Sequence, residues 1–282
     1  DDYQLMQVKD GPTGKCLLYK SINHFATVGA NATYDDGCPV YAIGWNTAKT
    51  VEANETAIMA TWSLARGKNS RGEELIVFGQ YNNSGSRTPG GANDWSNVVA
   101  SKRDADAGSF DVILEMNTGG STIVRHCHAV QQDPYTGEFW IQYGDQQTSA
   151  VYVWDGIHPI SPNTRASDAY KFRGWRGMDQ LNNPTKNYNL GQLTSIIFTP
   201  EELICPVDHG VTAARGVYSL SRDLTRYDRI GAGPDGGQPI QHSLYSSAVC
   251  PITGTAVVSE IMEPGGTNPE ADFTLWIYTA TK

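Results

Sequence analysis

Long apolar runs are missing from this sequence. None approaches the ~18 residues that a membrane-spanning helix needs, so no helical membrane insertion is expected. Runs of lysine or arginine are missing as well. With 21 basic against 30 acidic residues and a formal net charge of -9, no basic patch for phosphates is offered, and no nucleic-acid partner is expected. The acidic balance favours solubility. Cysteine is sparse. Five residues, Cys16, Cys38, Cys127, Cys205 and Cys250, with no CxxC pair, exclude a dense disulfide framework and a zinc-ribbon site. Cys127, Cys205 and Cys250 lie in apolar strand-like runs and read as buried free thiols. Pairing of Cys16 with Cys38 is left open. Helical periodicity is nearly absent: the one helix-tolerant stretch, 168–180, is interrupted by glycine.

What is present is aromatic and strand-like. The chain of 282 residues carries 7 Trp, 14 Tyr and 7 Phe, far too many large apolar side chains for a disordered segment. Short β-rich runs separated by turn residues recur in a fixed order. Over 124–175 the runs are VRHCHAVQQ, the turn DPYTG, EFWIQYGD, AVYVWDG and YKFRGW, designated A, B, C and D. The same order returns over 192–232 (QLTSIIF, TPE, ELICPVDH, GVYSLSR, RYDRIGA) and over 242–280, where a fourth run is lacking. Upstream, 56–116 gives another copy, with the turn RGKNSRG, and the N-terminus a partial one: YQLMQVKDG, KCLLYKS and HFATVGA. Residues 29–55 are the least regular part and have room for extra strands.

Repeats of ~50–65 residues with four strands each predict propeller blades. Blades stack face to face, so both faces of each sheet must be apolar. Phe139, Ile141 and Tyr143 are expected on one face of run B, and Trp140 and Gln142 on the other. The expected fold is therefore all-β: one β-propeller domain over 1–282, with about five four-stranded blades, or six if the chain is cut from a longer protein. Pairing of the N-terminal strand with the last blade, Tyr3–Val8 beside Leu275–Tyr278, is expected to close the ring and remove its exposed edges.

From RHCHAVQQDPYTGEFWIQYGDQQTSAVYVWDG onward the sequence resembles the sialidase-like (Asp-box, or BNR) β-propellers, in particular divergent members among phage tail and secreted bacterial proteins. The pattern between strands C and D survives in degraded form. SKRDADAGSF keeps Ser101, Asp104 or Asp106, Gly108 and Phe110; SRDLTRY keeps Ser221, Asp223, Thr225 and Tyr227; KSINHF keeps Ser21, Asn23 and Phe25. The resemblance implies an extracellular or virion location. It does not carry over the arginine triad and Tyr/Glu pair of the sialidases: Arg66, Arg125, Arg165, Arg173, Arg176 and Arg215 do not fall at matching strand positions.

In a propeller the D-to-A and B-to-C connections share one end of the ring. Residues at the starts of A and the ends of B converge there. This gathers Arg125, His126, His128 and Asp145 from one repeat, Gln192, Asp208 and His209 from the next, and Gln241, His242 and Glu260 from the last, with Gln80 and Tyr81 from upstream. Four of the six histidines fall on this end. His126 and His128, two apart on a regular strand, would share a face with Cα atoms ~6.8 Å apart. Such a cluster fits strand capping in a wet channel, sugar binding, or acid–base or metal chemistry. The acidic groups come singly from different repeats, without the paired carboxylates a glycosidase uses.

The function expected from these readings is non-catalytic: a recognition or structural propeller of an extracellular or tail-fibre-like assembly that binds cell-surface glycan. No metal or cofactor is expected. Two rivals stay open: a glycoside hydrolase or polysaccharide lyase using the His/Asp cluster, and a purely structural subunit of an extracellular filament.

Overall fold

The computed structural model describes residues 4–9, 16–21, 37–43, 57–82, 97–102, 109–114, 126–144, 150–158, 175–176, 193–207, 216–223, 226–232, 242–250, 255–262 and 274–278. Every regular element among them is a strand. The first sheet holds β1 (Gln4–Lys9), β2 (Cys16–Ser21) and β3 (Gly37–Ile43). The second holds β4 (Ala57–Lys68), β5 (Glu74–Asn82), β6 (Val98–Lys102) and β7 (Asp111–Leu114). The third is β8 (His126–Gln132), β9 (Phe139–Gly144), β10 (Ala150–Trp154) and β11 (Trp175–Arg176). The fourth is β12 (Ile197–Phe198), β13 (Glu202–Val207), β14 (Gly216–Ser221) and β15 (Tyr227–Ala232). The fifth is β16 (His242–Val249), β17 (Ala256–Met262) and β18 (Thr274–Tyr278).

All five sheets are antiparallel meanders in chain order, so the A-B-C-D layout read from the sequence is the observed one. The hairpins turn where Pro134 and Pro200 stand, and Cys250 N–H donates to Thr255 O at 2.9 Å between β16 and β17; the expected turn at Pro251 lies outside the described residues. The irregular stretch 29–55 does contain a strand, β3, whereas HFATVGA lies outside the described residues. Ring closure by the N-terminal strand is not seen. Among the described strands β1 pairs only with β2, from Gln4↔Ser21 to Lys9↔Cys16, and β18 only with β17. Each strand has two edges, and the described pairings fill one edge of β1 and one of β18.

The second to fifth sheets pack face to face in sequence order. On one side of the third sheet, Phe139, Ile141, Tyr152, Trp154 and Val130 meet Leu75, Val77, Val98 and Ala100 of the second. On the other side, Trp140, Val151 and Val153 meet Leu193, Ile196, Leu203, Cys205 and Leu220 of the fourth. The far side of the fourth sheet, Ile197, Ile204 and Val217, meets Ala256 of the fifth. Alternation along β9 thus feeds two cores, as the aromatics of run B require. Burial of each such side chain is worth ~1.5–3 kcal/mol.

First strands take part in the close approach of neighbouring sheets: β8 lies against β4 and β5, and β16 against β13 and β12. Two glycines permit this. A Cβ at Gly79 would stand 2.1 Å from Cys127 Sγ, and one at Gly67 would stand 1.7 Å from Gln132 Oε1. Three of the first strands, β4, β8 and β16, carry an irregularity. Cys127↔Tyr143 is followed by Ala129↔Gln142, which leaves His128 as an extra residue. Leu244↔Glu260 followed by Ser246↔Ser259 does the same for Tyr245, and β4 shifts between Met59 and Leu64. The shifts at His128 and Tyr245 are bulges on the first strands of their sheets, which bend the strand and re-aim its side chains.

Candidate functional site

Strand β8 ends in two glutamines whose side chains serve opposite sides of the third sheet. Gln131 Nε2 donates to Ile196 O at 3.0 Å, and its Oε1 accepts from Ile196 N–H at 2.6 Å and from Gln142 Nε2 at 2.9 Å. Gln132 repeats the arrangement on the second sheet: Nε2 donates to Lys68 O and, at 2.8 Å, to Gly137 O, while Oε1 accepts from Lys68 N–H at 3.2 Å. Each amide pairs with both polar groups of one backbone residue in the neighbouring sheet. An amide carries both a donor and an acceptor, which suits it to this task.

The hairpin end of the sheets continues the pattern. Asp133 is fully buried; Oδ1 accepts from Tyr135 N–H at 2.9 Å and Oδ2 from Thr136 Oγ1 at 3.1 Å, shaping the turn. Both carboxylate oxygens also pair with Arg222, from the connection between β14 and β15. Arg222 Nε donates to Thr199 O at 2.8 Å, and Nη2 reaches the same carbonyl. Its guanidinium carbon lies 5.1 Å from the centroid of Tyr135, a cation–π distance. One ion pair therefore ties three turns of two sheets.

The C-to-D turns have their own locks. Ser221 Oγ bonds Asp223 Oδ1 at 2.6 Å and accepts from Arg226 N–H at 2.9 Å. In the third sheet Asp155 takes the equivalent place. Its Oδ1 accepts from the N–H groups of Ile157 at 2.8 Å and His158 at 2.9 Å, and Oδ2 meets His158 Nδ1 at 2.6 Å. Burial pushes the Asp155 carboxyl up, but these bonds outweigh it and hold the group below the usual carboxylate range. On the second sheet buried Asn69 donates to Glu73 Oε2 at 2.7 Å and to Gly156 O at 3.1 Å, linking its turn to that of the third sheet.

No family model matches the chain, and no curated protein matches it. Among solved structures it is similar to a prolyl endopeptidase at 11% identity, covering 99% of this chain and 34% of that one with a TM-score of 0.45. It is also similar to a GH43 β-1,3-galactosidase at 10% identity, covering 87% and 76%, with a TM-score of 0.41. A third similar structure is the β-propeller domain of Cps50 (Swd1) from Myceliophteria thermophila, at 10% identity, 79% and 73% coverage and a TM-score of 0.32. The chain spans about a third of the length of the prolyl endopeptidase it matches. Likenesses of this strength say nothing of activity or ligand.

Of the residues nominated from sequence, His128 is the one whose side chain is described. It is buried, and its Nδ1 lies 2.9 Å from Leu193 O, so it joins the third sheet to the segment leading into β12. The bulge at His128 breaks the two-residue alternation that placed it on one face with His126. The backbones of His126, His242, Glu260, Gln80 and Tyr81 lie in strands, but their side chains fall outside the described residues, as do Arg125, Asp145, Asp208 and His209 entirely. Among the described residues no three His, Cys, Asp or Glu side chains cluster as metal ligands do. Cys127 and Cys205 are buried and free, and burial pushes both thiols upward, which removes them as nucleophiles. Cys250, expected to be buried, is exposed, because β16 ends there at the hairpin turn. The register sets Cys16 opposite Ile43 and Cys38 opposite Lys20. Four rungs at ~3.4 Å separate them, beyond the ~7 Å limit for a disulfide.

Sequence reasoning missed Gln131, Gln132, Asp133, Tyr135 and Arg222. The available signal was QQDPYTG itself: two consecutive amides at the end of an apolar strand, then an aspartate opening the turn.

Proposed function

We propose that the chain is a non-catalytic recognition or structural β-propeller, a single domain over 1–282 with about five blades, that binds cell-surface glycan in an extracellular or virion, tail-fibre-like assembly. The observation that supports this best is how the polar groups between the sheets are used. Gln131, Gln132, His128, Asp133 and Arg222 all bond to groups of neighbouring turns or sheets. Such bonds favour a rigid scaffold that offers its loops to a partner. Binding asks for a few fixed polar groups and an aromatic surface, less than a catalytic constellation demands. Arg125, His126, Asp145, Asp208, His209, His242 and Glu260 belong to the loop-bearing end in this reading.

The test is a glycan array probed with the purified protein, beside hydrolysis and lyase assays on sialosides and common polysaccharides. Retention of glycan without turnover is expected. Turnover that disappears in His126→Ala, at an unchanged melting temperature, would refute the non-enzyme reading. Absence of any bound glycan would refute the recognition role.

A further inference from the structure

The most exposed large apolar side chain among the described residues is Tyr135, 56% accessible at the tip of the β8–β9 turn. The tip is built for rigidity. Asp133 fixes the turn by accepting from the backbone N–H of Tyr135 and from the side-chain hydroxyl of Thr136. Gly137, at φ 76°, closes the turn by donating its N–H to Asp133 O at 2.8 Å. Arg222 lies over the ring, 5.1 Å from its centroid, and is itself held by Asp133 and Thr199.

The donor inventory of Arg222 is informative. A guanidinium has five N–H groups. Nε and one N–H of Nη2 are spent on Thr199 O, while the other N–H of Nη2 and one of Nη1 are spent on Asp133. Among the described residues one N–H of Nη1 has no partner, on a side chain 20% exposed that lies over one face of the Tyr135 ring.

We infer that Tyr135 and Arg222 form a subsite for a neutral pyranose, at the hairpin end of the sheets and so opposite the His-bearing end. This rests on the glycan-recognising function proposed above and adds to it a sugar class and a contact at the end of the sheets opposite the loop-bearing one. A pyranose presents an apolar C–H face and a rim of hydroxyls. The Tyr135 ring is a flat, amphipathic surface with little side-chain entropy left to lose. Arg222 covers one face of the ring, the sugar stacks on the other, and the remaining guanidinium donor is offered to a hydroxyl oxygen at the rim. Asp133 neutralises the guanidinium, and the chain carries a net charge of -9, so a carboxylate-bearing sugar gains nothing here.

The experiment is an array carrying neutral, sialylated and uronate-containing glycans, probed with the full chain and with Tyr135→Ala and Tyr135→Phe. Wild type is expected to retain neutral glycans. Tyr135→Phe should stay within about twofold, and Tyr135→Ala should lose about tenfold or more, which is ~1.4 kcal/mol. The exposed position predicts an unchanged melting temperature for Tyr135→Phe and a fall of no more than about 4 °C for Tyr135→Ala, from loss of the cation–π contact with Arg222. Neutral-glycan binding that survives Tyr135→Ala overturns the subsite and leaves the recognition function standing. Binding confined to sialylated or uronate glycans overturns the neutral class. A wild type that binds no glycan overturns the recognition function and the subsite with it.

Discussion

Substitution of Asp133 by alanine tests the joint between the third and fourth sheets. The carboxylate side chain is 0% exposed and that of its partner Arg222 is 20% exposed, so this is a buried ion pair rather than a surface one. Removing one member leaves the other charge without compensation in a poorly solvated place, at a cost of ~3–5 kcal/mol. The turn also loses the acceptors for Tyr135 N–H and Thr136 Oγ1. A domain of this size shifts by ~2–4 °C per kcal/mol, which places the melting temperature of Asp133→Ala about 6–20 °C below wild type. Calorimetry or circular dichroism melts measure this directly. The pairing itself is isolated by a cycle with Arg222→Met: the double variant should be more stable than the sum of the single losses implies, by ~1 kcal/mol or more. A melting temperature for Asp133→Ala within about 2 °C of wild type would refute the reasoning, since losses below ~0.5 kcal/mol belong to surface sites. Strict additivity in the cycle would refute the pairing.

Gly79→Ala places a methyl group 2.1 Å from Cys127 Sγ, where β5 and β8 meet. An overpacking cost of ~1–3 kcal/mol is expected in urea unfolding, and an unchanged midpoint would show that the two strands do not approach as described. Asp155 supplies a pH test. Its carboxyl is held below the usual range in the folded chain, so its contribution is present above the unfolded value, ~3.9, and fades as the pH falls through the lower folded value. The stability gap between wild type and Asp155→Asn should therefore be full at neutral pH and close in acid, and a gap that stays constant through that range would contradict the hydrogen bonding of Asp155.

The strand order was legible because its signals are local. Phe139, Trp140 and Ile141 alternate between two apolar cores, and no one-sided sheet would place a tryptophan between those neighbours. DPYTG and TPE mark turns by the backbone preferences of proline, aspartate and glycine. The histidine pair was read by the same two-residue rule, and there the rule met a bulge. One extra residue in β8 reverses which side of the strand follows, and nothing in RHCHAV marks where it is inserted. The glutamine contacts were illegible for a different reason. Their partners are the peptide groups of Ile196 and Lys68, more than 60 positions away. Every residue but proline carries that same N–H and C=O. A contact with a backbone leaves no complementary residue type at the other end, so no charge pair or motif can be matched to it. Asp133 with Arg222 is the intermediate case. The charges are complementary, but the link spans 89 positions and depends on two turns coming level when the sheets stack. Stacking is thus what turns a strand-ending QQD from a polar tail into the joint of the scaffold.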